Sequence, residues 1–200
     1  MTESFALGLQ QMSWLEALGV LMGVASVFFA TRENILVFPT GIVSNIIFIY
    51  LCFVVGLYGD MGINAYYFFM SIYGWYFWSR TDDKGEVTRV TWLNGRGIMV
   101  SAVLFLLFFG LLAFSLVELT DSTVPYWDAF TTASAFVGMY LMAQKKVENW
   151  IAWIVTDLVS IPLYFYKGLV LTSLQFLLFT ILAVIGLMAW IKSAKKHAID

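Results

Sequence analysis

Long apolar stretches alternate with short polar breaks along most of the chain. A helix that crosses a bilayer needs about 20 apolar residues, and four stretches of about that length contain no Asp, Glu, Lys or Arg: residues 36–59, 61–79, 97–117 and 168–191. Apolar length and charged breaks together predict an all-α membrane protein. Its seven membrane-spanning helices are predicted at residues 14–30, 35–55, 61–79, 97–117, 124–143, 149–166 and 168–191.

The composition also indicates a lipid environment. Hydrophobic residues make up 61% of the chain and charged residues 12%, whereas soluble domains are about 25% charged. A net charge of −2 without a basic arm argues against nucleic acid as a partner. The single cysteine, Cys52, excludes an intrachain disulfide. No Lys or Arg precedes the first apolar segment, so we expect a span there rather than a cleavable signal peptide.

Basic residues lie almost entirely in alternate connections between the predicted helices. Ten of the eleven Lys and Arg residues fall on one predicted side, and only Lys167 falls on the other. The positive-inside rule makes the basic side cytoplasmic. We therefore expect the N-terminus outside and the C-terminus inside. The longest polar loop, residues 80–96, is then cytoplasmic and carries Asp82, Asp83, Lys84, Glu86 and Arg89.

The two ends of the chain resemble each other at a spacing of 112 residues. This spacing predicts a single transmembrane domain, residues 1–200, with one repeat at 14–79, a linking helix at 97–117 and a second repeat at 124–191. Helices one and five run in the same direction, so the repeats are parallel, an arrangement from which transporters build binding sites. The matched pairs are Phe38 with Trp150, Asn45 with Asp157, Gly74 with Gly186, and Trp78 with Trp190.

The sixth predicted helix carries a candidate binding face. At about 100° per residue, the offsets of 3, 7, 10 and 14 bring five side chains onto one face: Trp150, Trp153, Asp157, Ser160 and Tyr164. A carboxylate inside a membrane is costly unless it is paired or hydrated, so we expect Asp157 to face a cavity. Aromatic rings can sandwich a planar ligand, and a nearby carboxylate favours a cationic one. The alternative is that Trp150 and Trp153 lie in an interfacial aromatic belt and that Asp157 pairs with an internal donor.

Polar side chains in three other predicted helices extend the candidate site. Asn64, Tyr67 and Trp75 share a face of the third helix, Asn45 lies in the second, and Gln175 lies in the seventh. Any single one of these groups more often ties helices together than contacts a ligand. As a set, they supply the hydrogen bonds that a sugar-bearing ligand needs.

Missing residue types argue against several classes of membrane protein. No predicted span contains a histidine, so an intramembrane metallohydrolase lacks a ligand set. The last span has no lysine for a retinal Schiff base, and no Gly-rich phosphate loop is present. We therefore expect no enzyme activity, cofactor or metal. A receptor or scaffold remains a competing class, although only residues 80–96 approach the loop size that a partner needs.

Paired sequence blocks resemble the PnuC family of nicotinamide riboside transporters. In the first half these are residues 33–34, 38–42, 57–61, Tyr67 and 73–78, and in the second half residues 150–153, Asp157, 164–169 and 186–190. The resemblance covers residues 14–190. It departs at Phe38, where a tryptophan is usual, and at Asp157, where an amide is often found.

The resemblance implies a SWEET-like fold of three plus one plus three helices, commonly a homotrimer in the bacterial inner membrane. It also implies uptake of nicotinamide riboside for NAD biosynthesis by facilitated diffusion, with intracellular phosphorylation trapping the substrate. Trp150 and Trp153 are implied to contact that substrate. The family also includes members assigned to thiamine and riboflavin. Cationic thiamine suits Asp157 as well as nicotinamide riboside does, so thiamine is the alternative, while neutral riboflavin suits it less. Proton coupling remains open.

Overall fold

The computed structural model describes residues 13–81, 88–168 and 170–197, and over these ranges the chain forms seven α-helices. Asp82, Asp83, Lys84 and Glu86 of the predicted cytoplasmic loop, and the segment before Ser13 that was predicted outside, lie beyond the described residues. The helices are α1 (Trp14–Thr31), α2 (Val37–Val54), α3 (Tyr58–Trp78), α4 (Gly95–Leu119), α5 (Pro125–Ala143), α6 (Asn149–Tyr166) and α7 (Val170–His197).

The predicted helix bounds agree with the observed ones to within three residues, except at the end of α7. That helix was predicted to stop at residue 191 but continues to His197. The prediction ended where the apolar run meets Lys192. Because Lys and Ala favour helix wherever they are solvated, the helix continues past the apolar limit.

Four of the described helices are long and apolar enough to cross a membrane: α1, α2, α4 and the Thr172–Lys196 part of α7. The helices α3 and α6 are not in this group, and they carry seven of the nine predicted site residues. Polar side chains lower the mean hydropathy of a helix. Helix α5 is also outside this group and holds none of the predicted site residues.

The chain divides into two compact units, residues 1–72 and 73–200, and the division falls inside α3. In the first unit, α1 packs along α2. The Ser44 hydroxyl donates to the Gly19 carbonyl at 2.8 Å, and the Ser26 hydroxyl donates to the Val37 carbonyl at 2.7 Å. Small residues let two helix backbones approach closely enough for these bonds.

In the second unit, α5 packs against both α4 and α6, and α6 packs against α7. Residues 133–139 of α5 are buried without a break. Beside them lies an aromatic core, in which Trp190 of α7 contacts Trp78 at 5.8 Å and Trp150 at 5.6 Å between ring centroids. The Trp78 indole also donates to the Met142 carbonyl at 3.2 Å. These contacts fix α6 and α7 against the C-terminal end of α5.

Residues 88–93 of the predicted loop are bound to the turn between α5 and α6. The Thr91 amide donates to the Lys145 carbonyl at 3.2 Å, and the Val147 amide donates to the Thr91 carbonyl at 3.1 Å. The Lys145 ammonium donates to the Thr88 carbonyl at 2.8 Å and lies 4.5 Å from the centroid of the Trp78 ring. These bonds hold residues 88–93 against the α5–α6 turn and form a clamp between the two segments.

The 112-residue spacing recurs in the backbone. The helices α2 and α6 begin and end 112 residues apart, and α3 and α7 begin at the same spacing. The turn before α2 has a left-handed residue at Glu33 (φ 54°), and the turn before α6 has one at Lys145 (φ 58°). Gly56 and Gly168, after these helices, both have φ 77°. Non-glycine residues rarely adopt positive φ, so the two halves share the same unusual turns.

Candidate functional site

Helix α6 positions four of the predicted site residues. It starts just after the turn that contains the left-handed Lys145 and ends at a left-handed glycine, Gly168. The Lys167 amide donates to the Leu163 carbonyl at 3.1 Å, and the Gly168 amide donates to the Phe165 carbonyl at 3.0 Å. Glycine is the residue that most readily adopts this conformation after a helix C-terminus. Both ends of α6 are therefore set by turn geometry.

The face of α6 predicted from residue spacing is its buried face. Trp150 is 2% exposed, Asp157 3% and Ser160 1%, while Trp153 and Tyr164 are partly exposed. The opposite side of the helix is open, with large exposed fractions at Ile151, Leu158 and Phe165. The aromatic and polar residues of α6 thus turn toward α5 and α7.

The carboxylate of Asp157 is buried and has no partner in the described part of the chain. No hydrogen bond or ion pair reaches it from residues 13–81, 88–168 or 170–197. The internal donor of the alternative interpretation is therefore absent from the described part of the chain. A buried carboxylate without a partner is strongly unfavourable. Asp157 is consequently suited to receive a hydrogen bond or a positive charge from a ligand.

Trp150 lies in the aromatic core. Its ring meets that of Trp190 edge to face, with an interplanar angle of 89°, and lies directly over the backbone at Gly186. With 2% exposure, it is buried within the protein. Its indole N–H is buried and has no acceptor among the described residues. Trp150 therefore has a ring held in place by its neighbours and a buried indole N–H without an acceptor among the described residues.

Trp153 lies one helical turn from Asp157 and keeps part of its surface exposed. Its ring lies against α5 at Gly138, where an added Cβ atom would be 3.2 Å from the indole Cε2 atom. Of the two predicted tryptophans, Trp153 is thus the more exposed.

Tyr164 lies near the other end of α6, in a small polar and aromatic cluster. Its ring stacks on that of Phe176 at 5.1 Å with an interplanar angle of 19°, and the Lys167 ammonium lies 5.6 Å from its centroid. Lys167 also pairs with Asp128 at 2.6 Å, and the Ser122 hydroxyl donates to the second Asp128 oxygen at 3.0 Å. The cluster joins the start of α5 to the end of α6.

The remaining predicted site residues belong to both units. Asn64 donates to the Asp60 carbonyl of its own helix at 2.8 Å, which matches the structural role expected for a single amide. Tyr67 and Asn45, also in the first unit, are partly buried. In the second unit, Trp75 is 42% exposed and Gln175 is exposed. Neither of these two side chains joins the buried face of α6.

Sequence reasoning did not assign four residues that shape this site: Gly138, Phe176, Asp128 and Gly186. The match of Gly74 with Gly186 was a signal for one of them. A second signal was Lys167, the single basic residue on its predicted side, since a lone charge there favours an acidic partner. For Gly138 and Phe176 the sequence carried no signal, because both act through contacts between helices.

A sequence model of the family described as nicotinamide mononucleotide transporter matches residues 13–192. The chain is 27% identical to the nicotinamide riboside transporter PnuC of Escherichia coli, in an alignment covering 93% of this chain and 88% of that protein. It is 28% identical to the riboflavin/roseoflavin transporter RibM of Streptomyces davaonensis, covering 94% and 90% of the two chains.

The fold is also similar to that of a solved structure. The crystal structure of the vitamin B3 transporter PnuC matches with a TM-score of 0.74, over 98% of this chain and 88% of that one, at 23% identity. At this level of identity the likeness shows a common fold.

Proposed function

The chain belongs to the nicotinamide mononucleotide transporter family, and we propose that the substrate of this membrane transporter is nicotinamide riboside, with thiamine as the alternative. The observation that carries the proposal is the buried carboxylate of Asp157 beside Trp153, which forms no hydrogen bond or ion pair with any described residue. Nicotinamide riboside has a flat ring with a fixed positive charge. A ring of this kind gains from both an aromatic face and a carboxylate.

The arrangement of groups along α6 supports a nucleoside-sized ligand. Trp153 and Asp157 are four residues apart and therefore neighbours on the helix surface. The unpaired indole N–H of Trp150 lies seven residues from Asp157, about 10 Å along the helix axis. We propose that the pyridinium lies against Trp153 near Asp157, while Trp150, whose indole N–H is buried, stays a predicted contact. Tyr164, Asn45, Asn64, Tyr67, Trp75 and Gln175 stay predicted contacts.

Ring charge separates the candidate substrates. The thiazolium of thiamine is cationic and can also pair with Asp157, which keeps thiamine as the alternative. The isoalloxazine of riboflavin is neutral and leaves the buried carboxylate without a counter-charge. Similarity to RibM makes riboflavin a necessary third ligand in any binding test.

We propose that all seven helices span the membrane as two parallel three-helix repeats joined by α4. The shared spacing and the shared left-handed turns support the repeat. The helices α3, α5 and α6 have 21, 19 and 18 residues, which gives them lengths of about 27–32 Å, close to the hydrocarbon thickness. The distribution of basic residues supports an N-terminus outside and a C-terminus inside. A homotrimer in the bacterial inner membrane is proposed from the family resemblance.

We propose facilitated diffusion, with phosphorylation of the substrate inside the cell to trap it for NAD biosynthesis. Trapping needs no ion-binding site, because removal of the free nucleoside keeps the gradient inward. Proton coupling is the competing mode, since buried carboxylates serve as proton carriers in other transporters. Uptake into vesicles with and without a pH gradient separates the two.

Calorimetry on the purified protein tests the substrate, with nicotinamide riboside, thiamine and riboflavin compared in one detergent. Nicotinamide riboside should bind most tightly, and Asp157→Asn should weaken it. Asp121→Asn, the same change at an exposed carboxylate in the α4–α5 connection, is the matched control and should bind normally. Preference for thiamine would change the substrate and keep the site. Binding of none of the three would contradict the proposal.

A further inference from the structure

We infer that Gly138 of α5 is a positioning residue that sets how deeply the indole of Trp153 lies in the site. The inference rests on the proposed function, in which Trp153 contacts the substrate. Gly138 is buried, near the end of the continuously buried stretch of α5. The helix α5 packs along α6, so this glycine is part of a tight helix contact.

The indole lies directly on the backbone of α5. A Cβ atom added at Gly138 would be 3.2 Å from Cε2 and 3.4 Å from Cδ2 of Trp153, the two atoms that join its rings. It would also be 3.4 Å from Cβ of Ala152. An added methyl group would therefore be closer to the indole than ordinary van der Waals contact, and its neighbours would have to move by a few tenths of an ångström. A methyl group at position 138 must push the indole outward or separate the helices.

The first unit contains a corresponding close contact between α1 and α2, but its glycine lies on the second helix of the pair and not on the first. Positions 26 and 41 correspond to positions 138 and 153 at the 112-residue spacing. There, a Cβ atom added at Gly41 of α2 would be 3.0 Å from the Ser26 hydroxyl oxygen of α1. In each pair, one glycine keeps two helices close. In the second unit the glycine is on α5, and the facing position on α6 holds a tryptophan. In the first unit the glycine is on α2, and the facing position on α1 holds a serine.

Partial exposure of Trp153 gives this contact a functional consequence. Trp150 is also seated on a glycine, but at 2% exposure it has no ring surface left for a ligand. Trp153 keeps accessible surface, so a change in its depth changes the distance between the indole and a planar ring bound against it. Stacking contacts weaken steeply when ring separation departs from about 3.5 Å. Gly138 thus contributes to affinity through Trp153 without touching the ligand.

A double-mutant cycle on the full-length protein tests the inference, with calorimetric binding of nicotinamide riboside as the readout. Gly138→Ala should weaken binding about tenfold, or 1.4 kcal/mol. The same change should have no effect in a Trp153→Ala background, because its route to the ligand is gone. Gly110→Ala, at a glycine of α4 with open space around it, is the control and should bind within twofold of the wild type. An equal loss in both backgrounds would overturn the inference.

A second readout needs no ligand. Labelling the eight tryptophans with 5-fluorotryptophan gives fluorine resonances, and that of Trp153 is assigned by its loss in Trp153→Phe. Gly138→Ala should move this resonance more than any other, and an unmoved resonance would overturn the inference. If Gly138→Ala folds poorly, Gly138→Ala with Trp153→Ala should recover folding, and failure to recover would also overturn it. Absence of wild-type binding with a moved resonance would contradict the proposed substrate alone.

Discussion

Trp150 of α6 lies over Gly186 of α7 so closely that a Cβ atom at Gly186 would be 2.5 Å from Cζ2 of the indole. The same indole meets Trp190, one turn further along α7, edge to face. Aromatic packing of this kind contributes beyond buried area alone. The contact therefore holds α6 in a fixed register against α7, and with it the carboxylate of Asp157.

We predict that Gly186→Ala destabilises the protein by about 1–3 kcal/mol, the usual cost of overpacking a core. The three closest atoms to the added methyl group belong to the six-membered ring of Trp150, which has no free space to enter. Thermal unfolding of the purified protein in detergent measures the effect.

Gly110→Ala is the matched control for this change. No atom lies within 4 Å of a Cβ atom added there, and alanine favours helix over glycine by about 1 kcal/mol. This variant should melt at or above the wild-type temperature. Equal melting of the Gly186→Ala variant and the wild type would show that α6 and α7 are not tightly interlocked.

Asp157 should recognise the charge of the ligand ring. Reduced nicotinamide riboside differs from the oxidised form by one hydride and has a neutral ring, so the pair isolates charge at nearly constant shape. We predict that the wild type prefers the oxidised form. The Asp157→Asn variant should bind the oxidised form at least about tenfold more weakly than the wild type does, a difference of 1.4 kcal/mol. Competition binding of the two forms measures the preference.

The reduced form should bind the Asp157→Asn variant about as well as it binds the wild type. A preference that survives unchanged in Asp157→Asn would mean that the carboxylate accepts hydrogen bonds from the ribose or has a structural role. Asp121→Asn serves again as the control for a lost surface carboxylate.

The clamp between residues 88–93 and the α5–α6 turn should depend on Lys145. Lys145→Met keeps the length of the side chain but removes the hydrogen bond to the Thr88 carbonyl and the cation over Trp78. The Leu93 amide of this segment donates to the Glu148 carboxylate at 2.9 Å. Amide exchange at Thr91 and Leu93 should become about tenfold faster, as expected for a loss of about 1.4 kcal/mol in local opening free energy. Hydrogen exchange read by mass spectrometry follows these amides.

Lys146→Met is the comparison for that experiment. The Lys146 ammonium bonds the Thr91 hydroxyl at an exposed position, where solvent competes for the same group, and exposed interactions of this kind contribute little. Exchange should change less than in Lys145→Met. If both variants exchange like the wild type, the backbone bonds alone hold the segment.

The ion pair of Asp128 with Lys167 should contribute modestly to stability. The two side chains are 21% and 25% exposed, and partly solvated pairs contribute up to about 1 kcal/mol. Charge reversal at either residue should lower the melting temperature. The double exchange, Asp128→Lys with Lys167→Asp, should recover most of the loss, and no recovery would show that the pair is incidental.

Much of the fold follows from the sequence because lipid imposes a simple rule. A spanning helix needs a long apolar run, and charged residues mark its ends, so the bounds of six helices were predicted to within three residues. The buried face of α6 was predictable for a similar reason, since the spacing of Trp150, Asp157 and Ser160 matches the helical period. Both inferences use only local order along the chain.

Contacts between helices were beyond this reasoning. A periodic pattern shows which residues share a face but not which neighbour covers that face. For this reason Gly138, which lies against Trp153, was not predicted at all, and the exposed residues Trp75 and Gln175 stay predictions. The clamp on residues 88–93 likewise joins Thr91 to Lys145, which are more than 50 positions apart in the sequence. No pattern in either segment predicts this contact.

The most direct test of the proposed function is uptake of labelled nicotinamide riboside into vesicles that contain only the purified protein, without any ion gradient. We predict saturable uptake that is faster than in protein-free vesicles and stops when the internal and external concentrations are equal. Asp157→Asn should slow it, and Asp121→Asn should not. Uptake no faster than in protein-free vesicles would contradict the claim that this chain transports nicotinamide riboside.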